Sequence, residues 1–469
     1  METHKERSFP SWVVFDKCIY RKDPASFRED DAETPSARSR ASNGEPVLVS
    51  FRLVAPPAAS RLYLHYPWEA EEFNETALVA AHRDSVLFRV VVAPSSVPVD
   101  SSFTWCCHTD YFVCRAGGSS GLSLAGPLPP CYADEWQMAG QGRAVHSHML
   151  RASDIGLLRR GEEEFAVADL MMLVPDDADA DADAPVEAEL FRYRSNAGTQ
   201  QWEAKRLPII CRGEDRARAG LQWWTTDAVV PFDGYLCWID YFRGILFCDV
   251  LADEPQLRYA ELPVEPPEGN PDHPGFGRAH PFVTRSVCVT DGGTMKFVIV
   301  ARADGEIARK RKLGSGFTMT VWSLVTPLSS ASERIGWAMD GAIEAEKLWM
   351  QDRYVELRLP PLSLEFPFVS LSEPDVVYAM LRERCHAAGN STYAWMLVVD
   401  MRRKALRSVI GPYDEVEDFS REDDDDEMAS RDICRNKPVL PSLFSMHLNT
   451  HVAGQLHRMY PISQGMCNM

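Results

Sequence analysis

The chain has 469 residues, of which 45% are hydrophobic and 25% are charged, and this composition is typical of a globular protein with a large core. Its formal net charge of −19 repels a phosphate backbone, so we expect no nucleic-acid partner. No apolar run reaches the ~18 residues of a spanning helix and the first residues are polar, so we expect no membrane association and an intracellular location. The location is cytoplasmic, or nuclear if Arg309-Lys310-Arg311-Lys312 acts as a localisation signal rather than a solvated loop.

The chain begins with an apolar stretch, "FPSWVVFDKCIY", followed by a polar stretch. We therefore predict an N-terminal strand plus a polar, partly disordered segment over 1–46. A β-propeller-like body is predicted over 47–450, with acidic loops at 176–184 and 417–427, and a C-terminal tail over 451–469.

The body contains repeated hairpin patterns. The stretches "VEAELFRYRS" and "QWEAKRLPI" predict a strand pair over 186–209, and "GYLCWID" and "GILFCDV" predict a second pair joined by "YFR" and closed by Gly244. In this second pair Cys237 and Ile239 lie on one face while Leu236 and Trp238 lie on the other, so both faces are apolar, as in a strand covered on two sides.

Further hairpins follow towards the C-terminus. "SVCVTDGGTMKFVIVA" at 286–301 has Asp291-Gly292-Gly293 for a tight turn, and 317–325 and 337–350 read as a strand pair. Three more strands are predicted between 375 and 410. For the first of them a helix is the alternative, and Val376-Val377 beside Tyr378 favours the strand. We count on the order of twenty short strands, which predicts an all-β fold with few helices, an irregular β-propeller of about six blades (five to seven).

One pattern fits a nucleophilic serine. "GGSSG" at 117–121 satisfies G-x-S-x-G with Ser119 as nucleophile, after a strand-like stretch. A nucleophile elbow requires a helix directly after the serine, whereas "LSLAGPLPP" is strand-like, so a flexible turn is the favoured interpretation.

Three further patterns could bind metal, and each lacks the required spacing. Cys106, Cys107, His108 and Cys114 lie close together, but adjacent residues of a strand face opposite sides. His146 and His148 share a strand face without a carboxylate partner, and the "DADADADA" tract lacks the glycine and glutamate of a calcium loop. We predict no metal and no cofactor, and we interpret the twelve cysteines, which form no C-x-x-C pair, as mostly buried apolar residues.

Carboxylates at 227, 233 and 240 allow a glycosidase hypothesis, since a propeller can present carboxylates into a central channel. The distance between the carboxyl groups would distinguish an acid role from a nucleophile role in such an enzyme, and the sequence does not give this distance. Turn caps or inter-blade hydrogen bonds are the favoured roles for Asp227, Asp233 and Asp240.

The stretch "WTTDAVVPFDGYLCWIDYFRGILFCDV" at 224–250 carries a family resemblance, through Trp224, Asp227, Pro231, Phe232, Gly234, Trp238, Asp240, Tyr241, Gly244, Ile245, Leu246 and Asp249. It resembles the signature of domain of unknown function 1618, a plant family seen chiefly in grasses. The resemblance extends to 285–298, 394–401 and the beginning at 9–20. It implies a β-rich, propeller-like body similar to domains attached to F-box proteins, and it implies no established activity.

We therefore predict a non-enzymatic protein-interaction propeller with an unknown protein partner. Trp238, Asp240 and Arg243 are the candidate interaction residues, since Trp and Arg often anchor interfaces, although a core or turn role is the favoured interpretation for Trp238 and Arg243. No catalytic residue is assigned, and the oligomeric state stays open. The alternative function is a hydrolase, either a serine hydrolase or a glycosidase, with its site in the propeller channel.

Overall fold

The computed structural model describes residues 9–27, 34–67, 76–92, 108–117, 121–135, 144–147, 150–173, 186–198, 200–211, 220–265, 280–305, 313–328, 335–385, 391–415 and 439–449. These residues are almost entirely β-structure, and the helices among them are short. Helix α1 spans Ala345–Trp349 and helix α2 spans Asp352–Glu356, while 444–449 forms a further helical segment. The prediction of an all-β fold with few helices is confirmed.

The described residues contain 27 strands. The first ten are β1 Val13–Arg21, β2 Ser36–Arg40, β3 Pro46–Arg52, β4 Ala59–His65, β5 Ala77–His82, β6 Ser85–Val92, β7 His108–Ala116, β8 Leu122–Leu124, β9 Tyr132–Glu135 and β10 Ala144–Ser147. The next eight are β11 Gly156–Arg160, β12 Glu164–Leu173, β13 Glu187–Arg194, β14 Trp202–Ile210, β15 Ala228–Phe232, β16 Tyr235–Asp240, β17 Gly244–Cys248 and β18 Leu257–Glu261. The last nine are β19 Arg285–Val289, β20 Met295–Arg302, β21 Phe317–Leu324, β22 Trp337–Glu344, β23 Glu365–Val369, β24 Val376–Cys385, β25 Ser391–Asp400, β26 Ala405–Glu415 and β27 Leu440–Ser442.

The described residues form two compact units. Unit 1 holds those up to Leu128 and those from Leu440 onward, arranged as one sheet in the order β2-β3-β4-β1-β5-β6-β7-β8, with β27 also paired to β1. Its end strands β2 and β8 lie in contact, and Ser39 Oγ donates a hydrogen bond of 2.9 Å to the Ala125 carbonyl just beyond β8. The sheet is therefore nearly closed on itself around an apolar core.

The pairing of β1 in unit 1 is long-range. β1 runs parallel to β4, from Val14↔Ala59 onward, and antiparallel to β27. The boundary predicted at 46/47 falls between β2 and β3, which pair with each other in this sheet. The N-terminal strand is thus part of the same core as the strands that follow it.

Unit 2 holds the described residues from Pro129 to Glu415, together with Val439, and repeats one design. Its larger sheets are built from antiparallel meanders of four strands, namely β11–β14, β15–β18, β19–β22 and β23–β26. The last strands of the first two meanders, β14 and β18, pair in parallel at Ile209↔Leu257, while β11 contacts β15, so these eight strands also form a nearly closed sheet.

The first strands of the four meanders lie side by side, since β11 contacts β15, β15 contacts β19, and β19 contacts β23. Each meander uses neighbouring strands to cover faces that it cannot bury alone, as propeller blades do. The predicted number of about six blades stays a prediction.

The hairpin β16–β17 has the two-sided burial that its sequence predicts. Leu236 and Trp238 pack with β11–β14 in one apolar cluster, and Cys237 and Ile239 pack with β19–β21 in another. The turn between β15 and β16 consists of Asp233 and Gly234. Their φ angles are 49° and 79°, so both residues have the left-handed conformation that a type I′ turn requires. In the hairpin β19–β20, Gly293 takes the left-handed position with φ of 72°.

The stretch 337–350 differs from its prediction as a strand. β22 ends at Glu344, and the good helix formers of "AEKLW" then fold as α1. Ala345 and Leu348, three residues apart on this helix, are both fully buried, so the helical spacing puts one side of the segment onto the core.

Candidate functional site

The candidate residue Asp240 lies at the end of β16 and organises the turn that follows. Its Oδ1 accepts the Phe242 N–H at 2.9 Å, and its Oδ2 accepts the Thr225 N–H at 3.0 Å and the Arg243 Nη1–H at 3.1 Å. The carboxylate is fully buried and has both an opposite charge and backbone donors to stabilise it. Asp240 therefore fixes the three-residue connection between β16 and β17.

Arg243 completes this buried arrangement. Its guanidinium is 3% exposed and donates from Nε to the Gly220 carbonyl at 2.7 Å, in addition to its ion pair with Asp240. The Tyr259 hydroxyl donates in turn to the Arg243 carbonyl at 2.9 Å. Through its side chain and its backbone, Arg243 thus connects the end of β16, β18 and the segment at 220.

Trp238 lies in the middle of β16 and is fully buried. Its Nε1–H donates to the Asp154 carbonyl at 2.6 Å, just before β11, so the indole satisfies its polar atom while its ring packs between two meanders. Burial places Trp238, Asp240 and Arg243 inside the protein, where a partner cannot touch them. Their observed contacts are therefore structural, in agreement with the core or turn role that the sequence favours for Trp238 and Arg243, and their burial argues against the interaction role.

The three carboxylates of the glycosidase hypothesis are not gathered in one place. Asp227 Oδ2 accepts the Tyr241 N–H at 2.8 Å and so supports the same turn as Asp240. Asp233 lies in the turn at the other end of β16, about 20 Å away along the strand. As the sequence favours, Asp227 and Asp240 act as turn acceptors, and Asp233 occupies a left-handed turn position.

The G-x-S-x-G pattern joins two strands. Ser119 lies outside the described residues, but the Gly117 N–H donates to the Gly121 carbonyl at 2.9 Å, between the antiparallel partners β7 and β8. A strand therefore follows the serine at the place where a nucleophile elbow requires a helix.

The metal candidates fall mainly outside the described residues, among them Cys106, Cys107, His148 and the "DADADADA" tract, and so does the basic cluster at 309–312. Cys114 is buried, and this burial raises the pKa of its thiol to about 12, so it is an apolar core residue. His146 lies on β10, opposite Ala133 of β9. Within the described ranges, no three His, Cys, Asp or Glu side chains are grouped to hold a metal. None of the helices in these ranges is long and apolar enough to span a membrane.

The pKa of Asp154 is strongly perturbed, which sequence reasoning did not anticipate. Burial raises the pKa of this carboxyl to about 6, and the neighbouring Asp169 adds to the rise. No sequence motif includes Asp154. Its burial and its proximity to Asp169 of β12 arise from the packing of strands in the folded chain. It is a titratable position in the same region as Trp238.

The segment of α1 and α2 exposes three large apolar side chains. Met350, Val355 and Leu357 are 77%, 61% and 49% exposed, although the same segment buries Leu348 and Tyr354 on its inner side. The Tyr354 hydroxyl donates to the Pro360 carbonyl at 2.6 Å, which anchors α2 to the chain that follows. We name Met350, Val355 and Leu357 the apolar platform. The sequence prediction of a strand up to residue 350 gave no indication of these helices or of the exposure of the three residues.

A basic turn lies beside the apolar platform. The turn between β25 and β26 contains Arg402, Arg403 and Lys404, and Gln351 binds it through two hydrogen bonds, from its Nε2–H to the Lys404 carbonyl at 3.0 Å and from the Leu406 N–H to its Oε1 at 2.7 Å. We name these three residues the basic turn. The turn is thus bonded to the junction of α1 and α2, at the residue that follows Met350.

Comparison with protein families gives one match within unit 2. Residues 238–378 match the model of the family described as "Protein of unknown function (DUF1618)". This range begins at Trp238 and includes the apolar platform. No curated protein matches the chain.

Solved structures show weak similarity. The chain is similar to the WD40 domain of SCAP from fission yeast, with 10% identity, a TM-score of 0.30 and coverage of 83% of this chain and 78% of that chain. It is also similar to the β-propeller domain of Myceliophteria thermophila Cps50 (Swd1), with 10% identity, a TM-score of 0.30 and coverage of 86% and 91%. A third similar structure is Zg3597, a family 117 glycoside hydrolase from Zobellia galactanivorans, with 11% identity, a TM-score of 0.23 and coverage of 81% and 87%. These likenesses assign no activity to this chain.

Proposed function

We propose that this protein is a non-enzymatic protein-interaction module and that the apolar platform is its docking surface. The observation that carries this proposal is the exposure of Met350, Val355 and Leu357 on a segment whose other side is anchored in the core. The three lie within eight positions of the chain, and such a concentration of large exposed apolar side chains supports an interaction role.

The anchoring of the platform supports a binding role. Buried Leu348 and Tyr354 hold the two helices from beneath, and the hydrogen bonds of Gln351 hold the junction between them. Because the segment is fixed before a partner arrives, binding costs little conformational entropy. Met350, the most exposed of the three, has a flexible side chain that adapts to the shape of an apolar partner.

A matched pair of valines tests the proposal. Val355 is on the platform and is 61% exposed. Val325 is 59% exposed and directly follows β21, at the end of that strand that lies away from α1. Val355→Glu puts a charge into the proposed interface, and Val325→Glu puts the same charge on an equally exposed apolar position elsewhere. Both substitutions add a charge to solvent, so neither alters the core.

The full chain and both variants are used as bait in quantitative affinity capture from an extract of the source organism. We expect a set of proteins that the wild type and Val325→Glu retain equally and that Val355→Glu retains about 10-fold less, since an unpaired charge in an apolar contact costs at least 1–2 kcal/mol. Equal retention by all three baits, or no specific retention by the wild type, contradicts the proposal.

A further inference from the structure

We propose that unit 1 contains a binding site for the phosphate group of a small soluble ligand, formed by Ser50, Arg52 and Arg61 on the neighbouring strands β3 and β4. We name these three residues the arginine patch. The inference goes beyond the proposed docking function, because it concerns the other unit and uses none of the residues of the apolar platform. It is carried by the register of the two strands, by two buried polar atoms without partners, and by the charges around them.

The arginine patch lies on the face of the sheet that is turned away from the apolar core of unit 1. That core takes alternate residues of β3 and β4, namely Val49, Phe51, Leu62 and Leu64. The residues between them therefore share the opposite face. On this face Arg52 is paired directly with Arg61, and Ser50 lies two positions before Arg52 on the same strand. Opposed Cβ atoms of antiparallel strands are about 5 Å apart and alternate residues of one strand about 7 Å apart, so one small anion can contact all three side chains.

Two donors of the arginine patch are buried without a partner. Ser50 is 1% exposed, and its Oγ has no hydrogen-bond partner. Nη1 of Arg52 is also buried and has no hydrogen-bond partner, and Arg52 forms no ion pair with the residues that the structure describes. Native structures nearly always satisfy such buried groups, because an unmade hydrogen bond costs free energy. An anion that accepts from both groups satisfies them, and the partly exposed side chain of Arg52 gives it access from solvent.

Arg61 is held in position by aromatic rings. Its guanidinium carbon lies 4.4 Å from the centroid of the Tyr20 ring, and the residue is 1% exposed. The Tyr20 ring lies in turn beside the Tyr63 ring, with the two centroids 6.0 Å apart, and Nζ of Lys22 lies 5.5 Å from the centroid of Tyr63. The cations of this face are thus fixed before a ligand arrives, which lowers the entropic cost of binding.

The described carboxylates of unit 1 are engaged or placed away from Arg52. Asp16 accepts the Tyr20 hydroxyl at 2.6 Å, Asp23 accepts the Ala25 N–H at 2.8 Å, Asp84 pairs with Arg115 at 2.7 Å, Asp110 accepts the Ser42 N–H at 2.7 Å, and Glu45 precedes β3 at the end away from Arg52. Like charges that lie directly opposite one another on paired strands are destabilising. A bound anion supplies the negative charge that Arg52 and Arg61 need.

The donors of the patch favour a phosphate group on a small molecule. Phosphate has the charge and the oxygen atoms to accept from two guanidinium groups and a hydroxyl, whereas one guanidinium already satisfies the two oxygens of a carboxylate. Ser50 lies too deep to meet the flat surface of a membrane or a nucleic acid. The net charge of −19 also repels such extended polyanions, while a small phosphate ester meets only the local positive charge.

Calorimetric titration of the full chain tests the site. The probes are inorganic phosphate and glycerol 3-phosphate, with acetate and succinate as carboxylate controls, all at a constant ionic strength of about 150 mM. We expect the two phosphates to bind with dissociation constants on the order of 1 mM or lower and the carboxylates to bind at least about 10-fold more weakly. Bound phosphate should also slow the hydrogen exchange of peptides that cover 46–65, which contain β3 and β4.

Four variants locate the binding site. Arg52→Gln should weaken phosphate binding about 10-fold, and Arg52→Lys, which keeps the charge without the planar fork, about 3-fold. Ser50→Ala should weaken binding about 3-fold or more, yet the phosphate-free variant should unfold at the same or a higher urea concentration than the wild type, since the removed hydroxyl has no partner to lose. Arg83→Gln, at the exposed turn between β5 and β6 of unit 1, is the charge control and should bind phosphate as the wild type does.

Several results would overturn the inference. They are the lack of phosphate binding up to about 20 mM, equally tight binding of the carboxylates, and equal weakening by Arg83→Gln and Arg52→Gln. Phosphate binding that Arg52→Gln and Ser50→Ala both leave unchanged would mark an adventitious ion only. Sedimentation with phosphatidic acid vesicles that Arg52→Gln abolishes, without binding of glycerol 3-phosphate, would assign the phosphate to a lipid and overturn the soluble ligand. The capture experiment with Val355→Glu decides the apolar platform independently of all these results.

Discussion

Replacing Gly244 by alanine tests the close packing at the start of β17. A Cβ on Gly244 would lie 2.4 Å from the Ala260 carbonyl oxygen and 2.6 Å from Cε2 of the Tyr259 ring. The oxygen belongs to the backbone of the paired strand β18, so it cannot rotate away. Ordinary contact begins at 3.4 Å, and β17 and β18 must therefore separate locally by about 1 Å.

The energetic cost follows from what this separation disturbs. The strands pair at Gly244↔Glu261 and Ile245↔Ala260, directly beside the buried Asp240–Arg243 ion pair and the hydrogen bond from Tyr259 to Arg243. Overpacking costs about 1–3 kcal/mol, and loosening a buried charged network adds about 1–2 kcal/mol. We expect Gly244→Ala to lower the free energy of unfolding of unit 2 by about 2–5 kcal/mol.

Gly234→Ala is the matched control in the same pair of hairpins. Gly234 has φ of 79° and no atom within 4 Å of a Cβ, so alanine there costs only the backbone strain of about 1 kcal/mol. Urea unfolding gives the stability of each variant, and hydrogen exchange of peptides that cover 235–262 shows where protection is lost. Equal destabilisation by the two substitutions would refute the packing argument, and so would unchanged exchange of β17 and β18 in Gly244→Ala.

Three other predictions concern Asp154, Trp238 and Ser119. The pKa of Asp154 is about 6 in the folded protein and about 3.9 in the unfolded chain, so its contribution to stability is fully present below pH 4 and is lost as pH rises through 6, by up to about 3 kcal/mol. Asparagine does not ionise, so Asp154→Asn removes this pH-dependent loss. In urea titrations the free energy of unfolding of the variant, relative to the wild type, should therefore increase between pH 4 and pH 7. A difference that stays constant over this range would contradict the raised pKa of Asp154. Trp238→Phe leaves the Asp154 carbonyl without its indole donor and leaves a cavity in the core, so it should lower the free energy of unfolding by about 2–4 kcal/mol, against less than 1 kcal/mol for exposed Trp223→Phe. A fluorophosphonate probe should not label the chain, and labelling that Ser119→Ala abolishes would establish the hydrolase alternative.

The hairpins could be predicted because their signals are local. Alternating apolar residues in β16 and β17, the turn residues Asp233-Gly234, and the β-branched pair at the start of β24 each specify a conformation within a few residues. Local steric preference and side-chain period decide such elements without reference to the rest of the chain. The short strand meanders, and with them the all-β fold, were therefore accessible from the sequence.

The exposure of the candidate residues could not be predicted in this way. Trp238 and Arg243 have the residue types of an interface anchor, yet they are buried because β11 and the segment at 220 cover them. Met350, Val355 and Leu357 have the residue types of a core, yet each is about half or more exposed to solvent. Residue type gives the free energy gained by burial, but it does not say which apolar surface finds a partner within the chain.

The sequence by itself determined the hairpins β13–β14, β16–β17 and β19–β20, the two apolar faces of β16 and the negative charge of the chain. Tertiary structure alone decided the parallel pairings of β1 with β4 and of β14 with β18, the pKa of Asp154, and the position of the basic turn beside the apolar platform. The physical reason is distance along the chain: local conformation depends on neighbouring residues, whereas burial, electrostatic environment and surface depend on segments tens to hundreds of residues apart that only the folded chain brings together.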